Sequence, residues 1–190
     1  MLIEKYKILK EERLLAQISE GNKAAFEVLY EMFKDKVYNT AISYLQNIED
    51  AEEVTQDVFL SLFVKAQTFK GNSKVSTWIY RITVNKALNK LETRKRHPNT
   101  GTLLQDNFRI DFQHPGILLE NQEKAAYLFG AIDTLAASQK TAFILTHIEG
   151  LPQQEVALVM QNTVKAVESL LQRAKINLKK KLMEHYPEGK

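Results

Sequence analysis

Three observations predict an all-α chain of two small helical domains joined by a flexible linker. Apolar residues recur at three- and four-residue steps through most of the 190 residues, and strand-like alternation is nearly absent. A single stretch near the middle holds Pro98, Gly101, Pro115 and Gly116 and sustains no period. The boundaries this predicts are residues 1–96, 97–121 and 122–190.

The first assigned helix starts at Asn22, a residue suited to an N-cap, and carries Phe26, Leu29, Tyr30, Phe33, Val37, Ala41, Ile42 and Leu45 as a broad core stripe. A second runs from about Glu49 to Thr68. It repeats Val54, Val58 and Leu62, with Phe63 one step off register, and its acids occupy the first turns, where the helix dipole favours negative charge. After a Gly71-Asn72-Ser73 turn, a basic helix spans Val75 to Arg96. Tyr80, Val84, Ala87, Leu88 and Leu91 make its better core stripe, whereas Trp78, Ile82, Lys86 and Lys90 form a separate i, i+4 row with Asn85 and Asn89 beside it. The apolar face thus changes sides partway along this helix. Past the break, helices are expected at Glu123–Leu135, at Ser138 (as N-cap) to Ile148, at Gln153–Met160 and at Val164 to about Glu184. The last is capped by Thr163 after a break at Gln161-Asn162, and Val164, Val167, Leu171, Ala174, Leu178 and Leu182 form its seam. Within the linker, Leu103, Leu104, Phe108, Ile110 and Phe112 point to segments that dock.

Composition excludes several classes of function. The chain has no cysteine, so disulfides, iron–sulfur clusters and thiolate zinc are out. Its four histidines, His97, His114, His147 and His185, form no ligand pair, and its seven glycines make no phosphate-cradling loop. No enzyme, metal, cofactor or small-molecule substrate is expected. No apolar run approaches the roughly 18 residues of a membrane span, and "MLIEKYKILKEERLL" lacks the uninterrupted core of a signal peptide, so a cytoplasmic chain is expected. No further sensory domain is expected after the last helix.

Net charge is only +3, but it is segregated. Acids gather at Glu49, Asp50, Glu52, Glu53 and Asp57; bases gather over Lys70–Arg96 and again over Arg173–Lys181. Such a division points to at least two partners of opposite sign. Asp50, Glu53 and Asp57 share one helix face. That face is either a solvated edge or a docking edge. Lys74, Arg81, Lys86, Lys90, Arg94, Lys95 and Arg96 suit phosphates, and asparagines suit base edges. The final helix pair has the shape of a helix-turn-helix, with Lys165, Glu168, Ser169, Gln172, Arg173 and Lys175 opposite the seam. On geometry alone it fits either a DNA major groove or a plain bundle.

The segment "DAEEVTQDVFLSLFVKAQTFKGNSKVSTWIYRITVNKALNKL" strongly resembles region two of the extracytoplasmic-function (ECF) sigma factors, small bacterial RNA polymerase initiation subunits of the sigma-70 family. "DTLAASQKTAFILTHIEGLPQQEVALVMQNTVKAVESLLQRAKINLKKKL" resembles their region four, and the two stand in the family's order. With "GNKAAFEVLYEMFKDKVYNTAISYL" they cover nearly the whole chain. The resemblance implies a bacterial initiation factor that binds core polymerase at the largest-subunit clamp and the flap region. It would recognise the minus-thirty-five and minus-ten promoter elements, nucleate melting, and answer to an anti-sigma factor. Carried over residue by residue, Asp50, Glu53, Gln56 and Asp57 form the core-docking edge. Phe69, Asn72, Trp78, Arg81, Asn85, Lys86, Asn89 and Lys90 face the minus-ten element, with the Phe69–Lys74 loop capturing a flipped base. Lys165, Glu168, Ser169, Gln172, Arg173 and Lys175 face the minus-thirty-five element.

Two readings stand for Trp78: it touches a base, or it only anchors the loop. The linker either threads polymerase channels or acts as a plain tether. Two residues depart from the family pattern. Gln161 stands in the turn where many members have glycine, and Glu168 stands where a base is common; it either accepts from a cytosine amino group or repels phosphate. The competing readings are a helix-turn-helix regulator acting on duplex DNA without polymerase, and a helical adaptor that binds protein alone.

Overall fold

The computed structural model describes residues 2–96 and 122–185, with side chains over 10–96 and 124–183. The linker expectations, Leu103 to Phe112 included, lie outside the described residues. Helices are the only extended elements among them. In the first domain α1 spans Leu2–Ser19, α2 Lys23–Leu45, α3 Ile48–Lys65 and α4 Val75–Arg96, with a 3-10 turn at Ala66–Thr68. In the second, α5 spans Gln122–Asp133, α6 Ala137–Phe143, α7 Gln153–Val159 and α8 Val164–His185.

Local chemistry explains most of the boundaries. Asn22 accepts a bond from Ala25 N at 3.1 Å and Asn47 accepts one from Asp50 N at 2.8 Å, so each satisfies a donor orphaned at a helix start. Glu49 and Asp50 occupy the first turn of α3. The chain leaves α2 through Gln46, left-handed at φ 49°, whose N–H returns to Ile42 O at 2.9 Å. Thr163 Oγ1 accepts from Ala166 N at 3.2 Å and starts α8 as expected.

The first core forms where α2, α3 and α4 pack on one another under α1, around Leu29, Val37, Ile42, Val58 and Leu62. The second gathers Phe129, Ile132, Leu145, Val156, Val167 and Leu171 between α5, α6, α7 and α8. The two are continuous, because α7 packs on α4 and the segment after α6 packs on α2.

Several expectations need correction. The N-terminal segment, to which no helix was assigned, forms α1, and Leu15 and Ile18 of that helix are buried. Ser138 is not an N-cap. The cap position is Ala136, without a side-chain bond, and Ser138 lies exposed inside α6. The expected helix from Ser138 to Ile148 breaks form midway, continuing from Ile144 to Ile148 as a π turn. Ile144 and Leu145 are both fully buried in that turn, which packs on α2 and α7. Phe63 and Tyr30, expected in the core stripes, are only partly covered, at 43% and 37% exposed, with Phe63 edge-on to Phe26 and Tyr30 against Phe59.

The side-switching apolar face of α4 has a packing cause. Its first half is covered by its own domain and also by α7. Ile79, Tyr80 and Thr83 lie beside Phe33 and Val37 of α2, whereas Lys74 and Arg81 on the other side reach α7, and beyond Ala87 no residue of α4 is fully buried.

Candidate nucleic-acid interface

Helices α3 and α4 run antiparallel, which brings the acidic edge against the basic row. Asp50 lies 3.1 Å from Arg94 and 3.3 Å from Lys90, Glu53 bonds Lys90, and Asp57 lies 3.1 Å from Lys86. The hydrogen bond from Lys90 to Glu53, followed by that to Asp50, holds the Lys90 ammonium above the ordinary lysine range. Charges that the sequence assigned to separate partners are thus counter-ions of one another along a shared edge. Asp50 is the most enclosed of the acids, with a side chain 20% exposed, against 63% for Glu53 and 53% for Asp57.

Asn85 and Asn89 stand exposed one helical turn apart, flanked by half-buried Lys86 and Lys90. The loop before α4 is shaped by Gly71 at φ 69°, a left-handed turn that glycine takes at no steric cost. Asn72 is exposed at its tip. Phe69 and Trp78 close its base, with ring centroids 5.4 Å apart and planes tilted by 58°, both half-buried against the core. The indole therefore braces the loop, and its exposed part lies at the junction of loop and helix.

In the second domain, α7 and α8 form the helix-turn-helix. Gln161 takes φ 53° in the turn, so the backbone keeps the left-handed geometry natural to glycine despite the side chain. Lys165, Glu168, Ser169, Gln172, Arg173 and Lys175 are all exposed, while Val167, Leu171, Ala174 and Leu178 are buried. The polar face is continuous over about three turns and exposed to solvent.

Not every predicted contact faces solvent. Arg81 donates to Leu158 O, in the last turn of α7, at 2.6 Å. Lys74 pairs with Glu155 of α7 at 2.6 Å. Behind them Glu149 accepts from the Tyr80 hydroxyl at 3.4 Å, and burial pushes its carboxyl above the usual range against the nearby Thr40 and Tyr80 hydroxyls and the Lys36 charge. From the other side, buried Lys140 donates to Tyr44 O in the last turn of α2 at 2.9 Å, and also bonds Asp133. These boundary residues carry no spacing signal in the sequence, because they meet only when the domains pack.

A second feature escaped the sequence reading. Leu60, Phe63 and Val64 continue the face of Asp57 to the end of α3 and are 64%, 43% and 76% exposed. The register slip at Phe63 was the available sign. In the second domain, Leu128, Phe143, Leu178, Leu182 and Met183 line an open apolar groove of about 410 Å³, edged by Lys175 and Lys179. Among the described residues no cluster of metal-ligating side chains occurs, and no helix is long and apolar enough to cross a membrane.

Fold and faces together define a two-domain helical protein with a helix-turn-helix in its second half. The sigma-70 region 2 family model matches residues 29–97, and the model for sigma-70 region 4 matches residues 126–178. The chain is 30% identical over 182 residues to the ECF RNA polymerase sigma-E factor of Haemophilus influenzae, covering 92% of this chain and 96% of that one. It is 27% identical over 181 residues to the RNA polymerase sigma-H factor of Pseudomonas aeruginosa, covering 91% and 94%. Among solved structures, that of CnrH in complex with the cytosolic domain of CnrY matches with a TM-score of 0.67 at 24% identity, covering 91% of this chain and 97% of that one. Sigma factor RpoE from Bartonella quintana, in complex with the anti-sigma factor NepR, matches at 0.63 and 21%, covering 83% and 96%. Both structural likenesses concern the fold. The chain belongs to the ECF sigma factors.

Proposed function

We propose that this chain is the dissociable specificity subunit of a bacterial RNA polymerase: it binds core enzyme, recognises the minus-thirty-five and minus-ten elements and nucleates melting. It acts in the cytoplasm as an initiation factor, without catalysis of its own. The observation that carries the reading is the open polar face of α8 in a helix-turn-helix, joined in one chain to the basic α4 and its aromatic-based loop. Residues 1–96 form region two, 122–190 form region four, and 97–121 join them.

In this reading Lys165, Glu168, Ser169, Gln172, Arg173 and Lys175 meet the upstream element in the major groove. Phe69, Asn72, Asn85, Lys86, Asn89 and Lys90 meet the downstream element, with Arg81 joining them once freed from α7. Trp78 holds the loop in shape for an unstacked base. Extraction of a base costs a few kcal/mol, which a prepared pocket offsets. Asp50, Glu53, Gln56 and Asp57 dock on the clamp of the largest subunit, and the exposed Leu60, Phe63 and Val64 extend that docking edge with apolar area. Electrostatics sets the approach and the apolar end supplies burial. An anti-sigma factor is the expected inhibitor.

The test is reconstitution with bacterial core polymerase on a promoter library. Copurification with core and initiation from a shared pair of elements is the expected result. A chain that neither copurifies nor directs initiation overturns the proposal.

A further inference from the structure

The outward part of α4 carries two kinds of polar group, and they are held differently. Asn85 and Asn89 stand exposed one turn apart. Lys86 and Lys90 each follow an asparagine by one position, yet their ammoniums turn across to α3. Lys86 meets Asp57 at 3.1 Å, and Lys90 meets both Glu53 and Asp50, the latter at 3.3 Å. The two lysine side chains are only 27% and 24% exposed, against 53% for Asp57 and 63% for Glu53. The bases, not the acids, are therefore the withdrawn partners. The ends of the basic stretch differ: Lys70 and Lys95 are exposed and have no acidic partner among the described residues.

Pairs with acids this exposed add little to stability, so their main effect is on the field that the helix presents. A lysine that reaches a phosphate releases a counterion and adds affinity without regard to sequence. A lysine held beneath a carboxylate offers almost no net charge to that phosphate. Bulk DNA supplies an overwhelming excess of sequence-blind sites, and each phosphate contact withheld keeps more of the chain off them.

We propose that Asp57 and Glu53 are positioning residues for nucleic-acid binding: in the free chain they hold Lys86 and Lys90 against α3, withholding their phosphate contacts and leaving the asparagines outermost. The inference rests on the promoter-binding reading above. It gives the two acids a task besides docking on core polymerase.

The experiment follows binding of the full free chain to a fluorescent homopolymeric thymidine strand, a probe without promoter sequence, as salt is raised. Asp57→Asn leaves Lys86 without its partner. The slope of log affinity against log salt should steepen by roughly 0.7, the value of one added phosphate contact on a single strand. Affinity at low salt should rise by up to about 5-fold, the scale of one exposed pair. Glu53→Gln should steepen the slope less, because Asp50 still holds Lys90. Glu52, exposed on the same turn of α3 and paired with no base among the described residues, is the control. Glu52→Gln removes the same charge and should leave the slope unchanged. Asp57→Asn combined with Lys86→Gln should return to the parent slope. An unchanged slope in Asp57→Asn, an equal change in Glu52→Gln, or a double variant as steep as Asp57→Asn each overturns the proposal. A transcription assay with core polymerase judges the promoter reading separately. Failure to initiate defeats that reading, whereas the slope on a promoter-free strand still decides whether the acids withdraw the lysines.

Discussion

Reversing Asp50 and reversing Asp57 should have different consequences, although both belong to one acidic edge. Asp50 sits in the first turn of α3, is 20% exposed, and accepts from both Lys90 and Arg94. Asp50→Lys removes two partly enclosed pairs, each worth up to about 1 kcal/mol. It also places a cation where the helix dipole favours an anion, at about 0.3–1 kcal/mol, beside two existing cations. The expected loss is about 2–3 kcal/mol, a fall in Tm of roughly 4–12 °C for a chain of this size. Asp57 has one partner, Lys86, and is 53% exposed, so Asp57→Lys should cost less than about 1 kcal/mol. Urea unfolding followed by circular dichroism measures both. Core-polymerase affinity, measured alongside, should fall in each variant. Equal stability losses would refute the idea that enclosure at the start of α3 sets the strength of the edge. Unaltered core affinity in Asp57→Lys would remove that residue from the docking surface.

Gln161→Gly relieves a left-handed side chain costing about 1 kcal/mol and restores part of that in unfolded-chain entropy. A small gain of about 0.5 kcal/mol in denaturant unfolding is expected, and a clear loss would mean that the Gln161 side chain makes a stabilising contact. The buried carboxyl of Glu149 titrates above its ordinary value of 4.5. The folded form therefore binds the proton more tightly, and this contribution to stability is complete below about pH 4.5 and is lost as pH rises through the raised value. Glu149→Gln should match the parent near pH 4.5 and exceed it at pH 7; parallel profiles would refute the assignment. Thr40, Tyr80 and Lys36 face the same group and are shared by both proteins. Arg173→Ala, at an exposed position, should weaken recognition of the upstream element by roughly 1–3 kcal/mol while core affinity holds. Equal loss of both would contradict the division between domains.

Periodicity made α2, α3, α4 and α8 legible, because each buries one stripe against its own domain and side-chain caps at Asn22 and Thr163 mark the starts of α2 and α8. The polar row of α8 was legible for the same reason: a seam that buries Val167, Leu171 and Ala174 dictates which residues face out. What periodicity could not reveal depends on contacts distant in sequence. Lys140 reads as an ordinary surface lysine until Tyr44 O, 96 positions away, meets its ammonium. The same holds for the pairing of α3 acids with α4 bases, which needs the antiparallel packing of the two helices. The helix α1 escaped because its apolar residues are interleaved with charge, and the π turn because an apolar run this short does not tell a wider pitch from an ordinary helix.

The charge ladder between α3 and α4 also makes its two edges thermodynamically dependent. Asp57 and Lys86, and Glu53 and Lys90, neutralise each other while the chain is alone. A partner whose cations draw off the acids leaves the bases uncompensated and raises their affinity for phosphate. By reciprocity, phosphate drawing off the bases raises affinity for that partner by the same factor. Neither ligand needs to touch the other, and the order of arrival does not alter the total. A chain with weak affinity for each partner separately thereby holds both together more tightly than the separate affinities predict.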